Sequence, residues 1–272
     1  MFSDGMLCRR GDSGGETAGD RSPQAKAGSS NRAFSHHAIL KWSLPCKRDG
    51  DYTVLLSMNE VRRSSGLGEL APTVACSRVL DRAELPVDTA QLARFLIGKM
   101  LVRNLAEGVA DGRIVETEAY SIGDAAGHAY RGVTPRNQAL FLARGHAYVY
   151  LAYGSSFMLN VSSETSGVGA GVLIRAIEPT DGISIMERNR GTEGMRDLAR
   201  GPGRLCAALC IDRRLDGIDL CQKGPLWLGS DGRAAGEIGQ GKRIGITRAA
   251  DSPLRFYVRG NRFVSGPRAL NR

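Results

Sequence analysis

Short apolar runs follow one another between residues 99 and 177, and each of them ends at glycine or at a polar cluster. Runs of this length with turn-forming residues between them are typical of β-strands. Because strands that follow each other through short links pair with their neighbours, the pattern predicts a mostly antiparallel or mixed sheet. The predicted strands cover residues 99–104, 112–120, 146–152, 157–162 and 171–177.

Helices are expected at the sides of this sheet, which makes the predicted fold class α+β. Asp88 can cap a helix in which Leu92, Phe95 and Leu96 recur at helical spacing, and Gly98 is placed to end it. Further helices are predicted over residues 181–190 and 203–210, and further strands near 242–247 and 253–259.

The N-terminal part of the chain has a different composition. Residues 1–35 are rich in glycine, serine and charged residues, so they cannot bury enough apolar surface to offset the entropy of ordering. We expect residues 1–72 to form a disordered or poorly ordered extension and residues 73–272 to form the folded domain. Met58 begins a more ordinary N-terminus, so a later start is a hypothesis that the intact mass of the native protein tests.

Several classes of protein do not fit the composition. No stretch approaches the roughly 18 apolar residues that cross a bilayer, and the N-terminus lacks an apolar signal core, so we expect neither a membrane nor a secreted protein. The six cysteines contain no C-x-x-C pair and are read as reduced thiols, without a metal site. No glycine-rich nucleotide-binding motif is present. The net charge of +9 favours a polyanionic partner.

Residues 113–120 place two carboxylates on one strand. Alternation puts Ile114, Glu116, Glu118 and Tyr120 on a common face. If this face lines a cleft, one glutamate has what a general base needs, namely a rigid position and a pKa that partial burial can raise. If the face meets solvent, the glutamates are ordinary surface residues, and alternation does not choose between them.

A second strand is rich in tyrosine. Tyr148 and Tyr150 project on one face, where packing in the core is the expected role of Tyr148. Tyr153 ends the strand just before Gly154, at a predicted hairpin loop. A large ring at an exposed turn of a basic protein can wedge into a stack of bases.

Polar side chains interrupt two other apolar strands. Arg175 needs a partner if it is buried, and a carboxylate of residues 113–120 is the obvious candidate; the alternative is an edge strand that points it to solvent. Asn160 either satisfies backbone groups or faces a ligand. The loops around Arg136 and Arg204 have the composition of phosphate contacts.

The following runs resemble those of the alkyladenine, or 3-methyladenine, DNA glycosylase family, in the family's order and from about residue 80 to residue 265. They are Arg113-Ile-Val-Glu-Thr-Glu-Ala-Tyr120, His128-Ala-Tyr-Arg-Gly132, Thr134-Pro-Arg-Asn137, Ala147-Tyr-Val-Tyr150, Tyr153-Gly154, Leu173-Ile-Arg-Ala-Ile-Glu-Pro179, Gly201-Pro-Gly-Arg-Leu-Cys206 and Leu254-Arg-Phe-Tyr-Val258.

The resemblance implies roles for individual residues. It makes Glu118 the general base, Arg175 the residue that holds the attacking water, and the main-chain carbonyl of Val258 a third contact of that water. The walls of the base pocket that it implies are Tyr120, His128, Tyr150, Asn160 and Leu173, and the DNA contacts are an intercalating Tyr153 with Arg136, Asn137 and Arg204 on the phosphates.

The resemblance also implies the fold and the activity. The fold is a single mixed α/β domain around a curved, mainly antiparallel sheet with flanking helices. The activity is excision of 3-methyladenine, 7-methylguanine, hypoxanthine or ethenoadenine from double-stranded DNA by water, without a metal or cofactor. A monomer in the bacterial cytoplasm, or in the nucleus if the source is eukaryotic, is expected. The alternatives are a non-catalytic damaged-DNA-binding protein and a hydrolase of free nucleosides.

Overall fold

The longest strand of the chain, β3, lies at the middle of one antiparallel sheet. The computed structural model describes residues 77–267. The strands are β1 (Arg78–Val79), β2 (Met100–Leu105), β3 (Gly108–Tyr120), β4 (Ala147–Ala152), β5 (Ser156–Ser162), β6 (Gly171–Asp181), β7 (Leu226–Ser230), β8 (Ile238–Gly241) and β9 (Arg255–Val258). Their order is β1-β7-β2-β3-β6-β5-β4, and β9 pairs with both β3 and β8.

The pairing of β3 brings three parts of the chain together. Along one edge, β2 pairs with residues 108–113 of β3 and β9 pairs with residues 116–118. Along the other edge, β6 follows β3 for most of its length, and β5 and β4 extend the sheet beyond β6. The second half of β3 therefore has strands on both sides, and its Glu116, Thr117 and Glu118 are buried.

Three helices complete the described part of the chain. The Asp88 side chain accepts the N–H of Gln91 and begins α1, whose Leu92 and Leu96 are buried in the main core. The sheet with helices against it confirms the predicted α+β fold. The helices are α1 (Thr89–Leu96), α2 (Ile183–Arg190) and α3 (Pro202–Ala208), with short 3-10 turns at Arg82–Glu84, Gln138–Phe141, Met195–Asp197 and Arg213–Leu215.

One predicted strand is wrong, and another strand of the sheet was missed. The expected strand near 242–247 is irregular chain, and the strand of this region, β8, ends at Gly241. Ile244 and Ile246 are apolar because they line a cavity and not because they belong to a sheet. The strand β7 was not predicted, although its Leu226 and Leu228 are buried in the core.

The predicted N-terminal extension, its boundary at residue 72 and the Met58 start lie outside the described residues. Among the helices of residues 77–267, none combines the length and the apolar character that a bilayer span requires. The same residues contain no group of three or more His, Cys, Asp or Glu side chains placed to share a metal ion.

Candidate active site

Irregular pairing between β3 and β6 sets which side chains reach the site. The register shifts between Ile114 and Glu116 and again between Glu116 and Thr117, as a β-bulge does. Ile114 consequently packs in the main core, whereas Glu116 and Glu118 both contact Arg175 of β6. The expectation that Ile114 shares their face is therefore wrong.

The Glu118 carboxylate is fully buried and has a donor on each oxygen. Oε1 accepts the backbone N–H of Ile244 at 2.7 Å and lies 3.1 Å from Nη1 of Arg175. Oε2 accepts the hydroxyl of Tyr120 at 3.0 Å. Glu118 has no exposed surface, but Tyr120, Arg175 and Ile244 all line a cavity, so the carboxylate lies directly behind the cavity wall.

Burial has the largest effect on the pKa of Glu118. The loss of solvent raises the pKa of this carboxyl above its ordinary value, although Arg175 and the hydrogen bond from Ile244 oppose the rise. The pKa of Tyr120 is raised for the same reason, by burial and by the adjacent Glu118 charge, so the phenol stays protonated and donates. A carboxylate with a raised pKa beside a cavity accepts a proton more readily than an exposed one, as a general base must.

Aromatic rings form the other walls of the cavity, which has a volume of about 460 Å³. Tyr148 and Tyr150 share a face of β4, as predicted, and their rings stack at 5.3 Å. His128 lies 4.3 Å from Tyr150 between ring centroids, and its Nδ1 is 2.9 Å from the hydroxyl of Tyr148. Burial lowers the pKa of His128, so its ring is neutral at pH 7. These rings thus give the cavity flat, uncharged walls beside the two arginines that also line it, Arg136 and Arg175.

The strands β5 and β6 supply the floor of the cavity. Leu173 of β6 is the register partner of Glu118 on β3 and of Asn160 on β5. Leu173 and Asn160 line the cavity, whereas Glu118 does not. Asn160 is buried, and its Nδ2 has no hydrogen-bond partner within the described part of the chain. An amide donor that meets no protein acceptor at a cavity is available to a ligand.

The structure does not bring Val258 to this carboxylate. The register partner of Glu118 on β9 is Arg255, and Val258 lies three residues further along, about 10 Å at the usual rise of a strand. The Val258 carbonyl instead accepts the N–H of Asn261 at 3.3 Å. The backbone that contacts Glu118 belongs to Ile244, which no motif of the sequence marks as a site residue.

Tyr153 is presented by a tight turn between β4 and β5. Tyr153 and Gly154 have φ values of +52° and +69°, and the N–H of Ser155 donates to the carbonyl of Ala152 at 3.1 Å. Positive φ at both central residues is typical of a type I′ turn, which here lies within a three-residue connection between the paired Ala152 and Ser156. The left-handed conformation is costly for tyrosine, and it leaves the ring 88% exposed at the tip of the hairpin.

The three predicted phosphate contacts differ in their surroundings. Arg136 is exposed and lines the cavity, with its guanidinium 5.8 Å from the Tyr150 ring. Arg204 is exposed and pairs with Asp197 at 2.7 Å. Asn137, in contrast, is buried: its Nδ2 donates to the carbonyls of His128 and Gly132. In this arrangement Asn137 shapes the loop and cannot present its amide to a phosphate, which corrects that prediction.

Arg243 is a further residue that the sequence did not reveal. Its buried guanidinium forms an ion pair with Asp124, donates to the carbonyl of Ala119 and lies 4.7 Å from the ring centroid of Tyr120. Because Arg243 precedes Ile244, these contacts hold the backbone donor of Ile244 against Glu118. A lone arginine in a polar loop gives no signal of such a position.

Comparison with known proteins agrees with this geometry. Residues 83–262 match the model of the methylpurine-DNA glycosylase family. A protein of Mesorhizobium japonicum with the provisional name 3-methyladenine DNA glycosylase is 69% identical over 203 residues, which are 75% of this chain and 95% of the relative. Similarly named proteins of Paraburkholderia phytofirmans and Methanoculleus marisnigri are 53% identical over 189 residues (70% of this chain, 89% of the relative) and 47% identical over 182 residues (65% and 94%). The chain therefore belongs to the methylpurine-DNA glycosylase family, whose members are hydrolases of N-glycosyl bonds in DNA.

Proposed function

We propose that this protein excises alkylated or deaminated purines from double-stranded DNA by hydrolysis of the N-glycosidic bond, with Glu118 as the general base. The observation that carries the proposal is the placement of the buried Glu118 carboxylate, held by Arg175 and Ile244. It lies behind the wall of a cavity that is lined with aromatic rings.

The dimensions and chemistry of the cavity support a purine as its occupant. The rings of Tyr120, Tyr150 and His128 offer faces on which a flat base can stack, and a volume of about 460 Å³ holds a base with part of its sugar. A base inside a duplex cannot reach such a cavity unless it is flipped out, at a cost of a few kcal/mol that is smaller for damaged or mispaired bases. The unpaired Nδ2 of Asn160 would meet the exocyclic amino group of guanine donor to donor.

The chemistry follows from the position of Glu118. The oxygen of a water molecule forms a bond to C1′ of the flipped nucleotide, and the bond between C1′ and the purine nitrogen breaks with its electron pair passing to the leaving base. The water proton passes to Glu118, and an abasic sugar with a hydroxyl on C1′ remains. The negative charge of Glu118 also stabilises the positive charge that develops on the sugar.

A single-turnover assay tests the proposed function. Duplex oligonucleotides with one 3-methyladenine or one hypoxanthine are incubated with excess protein, and abasic sites are read by alkaline cleavage. We expect excision from the damaged duplexes and none from an undamaged control. Tight binding without excision of either lesion would instead support a non-catalytic damage-binding protein, and equal turnover of free nucleosides would support a nucleoside hydrolase.

The excision rate should depend on pH through Glu118. A base acts in its ionised form, and burial raises the pKa of Glu118 above its ordinary value of 4.5. We therefore expect the rate to rise with pH through a midpoint above 4.5 and to fall off below it. Single-turnover rates between pH 4 and 9 measure this limb, and a rate that is flat down to pH 4 would contradict the proposed base.

Removal of the exposed Tyr153 ring should slow excision without changing the fold. In our proposal the ring fills the gap that the flipped base leaves, and stacking of one base on one ring is worth about 1 to 3 kcal/mol. We expect Tyr153→Ala to lower the single-turnover excision rate about tenfold, whereas Tyr153→Phe, which keeps the ring, retains the wild-type rate. Equal rates for the alanine and phenylalanine variants would exclude this role for Tyr153.

A further inference from the structure

The buried Glu116 carboxylate has no part in the reaction described above. Its Oε1 accepts the Nε–H of Arg175 at 2.8 Å and the Nε–H of Arg255 at 2.7 Å. Its Oε2 accepts the backbone N–H of Ser265 at 2.7 Å. Both Glu116 and Arg255 have no exposed surface, so the cluster is closed to solvent.

Arg175 connects this cluster with Glu118. All three nitrogens of its guanidinium are engaged: Nε by Glu116, Nη2 by the hydroxyl of Ser265 at 3.2 Å and Nη1 by Glu118 at 3.1 Å. The guanidinium group is planar, so the contacts at Nε and Nη2 fix the direction in which Nη1 points. Glu116 and Ser265, which contact the guanidinium at the nitrogens away from Glu118, thus set the orientation of Arg175 toward Glu118.

The ionised forms of Glu116 and Glu118 are stabilised to different degrees. Burial alone would raise the pKa of Glu116, but Arg175, Arg255 and the hydrogen bonds outweigh it and hold that pKa below its ordinary value. Of the two carboxyl groups, Glu116 is therefore the one that ionises more readily, since burial raises the pKa of Glu118. Two anions share Arg175, so Glu118 receives only part of the stabilisation that this cation can give.

The other groups around Glu118 come from each neighbouring element. Tyr120 lies on the same strand, Arg255 is the register partner on β9, and Arg243 reaches the Tyr120 ring from the loop after β8. Of these groups, only Arg255 also contacts Glu116 in the described contacts, through its Nε at 2.7 Å. The response of Glu118 to a change in the Glu116 charge therefore passes through the two arginines of the cluster and through the direct repulsion between the two carboxylates.

We propose that Glu116 is a positioning residue for base excision: it holds Arg175 in the plane that presents one guanidinium edge to Glu118, and it limits the share of the Arg175 charge that Glu118 receives. The inference rests on the proposed function, since it requires Glu118 to be the base. Ser265 completes the clamp on Arg175 from the C-terminal segment.

The variant Glu116→Gln tests the proposal because it keeps the shape of the side chain and removes its charge. Arg175 then pairs with Glu118 alone, which lowers the pKa of Glu118. We expect the midpoint of the acid limb to move about one pH unit lower, since a single neighbouring charge shifts a pKa by about that much. We also expect the maximal single-turnover rate to fall about tenfold or more, because a misplaced group near the reaction can cost up to about a hundredfold.

The control is Glu178→Gln, a glutamate of β6 that accepts a hydrogen bond from Asn261 and touches neither arginine of the cluster in the described contacts. Its pH profile should match that of the wild type. Circular dichroism and thermal unfolding identify the folded fraction of each variant. If Glu116→Gln does not fold, Ser265→Ala replaces it: loss of the hydroxyl that holds Nη2 should lower the rate several-fold at unchanged DNA affinity.

The outcomes separate the inference from the proposed function. Loss of excision in Glu118→Gln together with a shifted limb in Glu116→Gln supports both. An unshifted limb with a wild-type rate in the folded Glu116→Gln protein, or a wild-type rate in Ser265→Ala, overturns the positioning role and leaves the base in place. Excision by Glu118→Gln overturns the proposed base, and the inference fails with it.

Discussion

Glu118→Gln should abolish excision and leave binding to damaged DNA intact. The amide can still accept the N–H of Ile244, so the loop after β8 keeps its position, but it cannot take a proton from water. General bases contribute about a hundredfold to ten-thousandfold, and we expect a loss of at least about a hundredfold in the single-turnover rate.

The measurement pairs this rate with fluorescence anisotropy on the same lesion-containing duplex. Loss of a buried negative charge should leave the affinity unchanged or raise it, because the phosphates repel anions. Glu178→Gln serves as the matched control, with wild-type rate and affinity expected. A Glu118→Gln protein within tenfold of the wild-type rate would assign the base to another residue.

Arg255→Met should cost more stability than any exchange of an exposed charge. Arg255 and Glu116 form an ion pair without exposed surface, so removal of the arginine leaves a buried carboxylate with a single ionic partner, Arg175, among the described residues. Breaking a buried pair from one side costs about 3 to 5 kcal/mol in the free energy of unfolding.

A matched control lies four residues along the chain. Arg259 pairs with Glu237 at 2.9 Å, but the two side chains are 43% and 77% exposed, so Arg259→Met should cost no more than about 1 kcal/mol. Urea unfolding of both variants at neutral pH measures the difference. Similar free energies for the two variants would show that the buried cluster relaxes or hydrates when Arg255 is removed.

The pattern of the sequence predicts six strands of the sheet, β2 to β6 and β9, because these are short apolar runs bounded by glycine or polar residues, but it misses β7. It also identifies Arg175 as an arginine that needs a carboxylate, and the structure supplies two. Alternation fails at Ile114, because a bulge adds a residue to one strand and reverses the faces beyond it. No local sequence pattern predicts which residue of a strand will form a bulge.

The residues that the sequence did not reveal contribute through their backbone or through distant loops. Ile244 contacts Glu118 through its backbone N–H, which every residue except proline has. The identity of its side chain therefore does not reveal this contact. Alternation alone does not choose between Glu116 and Glu118, and the prediction of Glu118 comes from the family resemblance. The positions of the two carboxylates support it: Glu116 is closed in by two arginines, while Glu118 is held by residues that line the cavity. The catalytic and DNA-binding roles stay predictions until the variants are measured.

The turn at Tyr153 has a consequence for how such a protein would search DNA. A side chain on a long flexible loop loses conformational entropy each time it inserts into a duplex, and this cost slows each insertion. Tyr153 lies in a three-residue connection between two paired strands, so its backbone is already confined. Most of the free-energy cost of inserting Tyr153 would then come from opening the DNA. The rate of successful insertion would therefore depend on how readily the duplex opens at that site, and a damaged base pair opens at a lower cost than its neighbours.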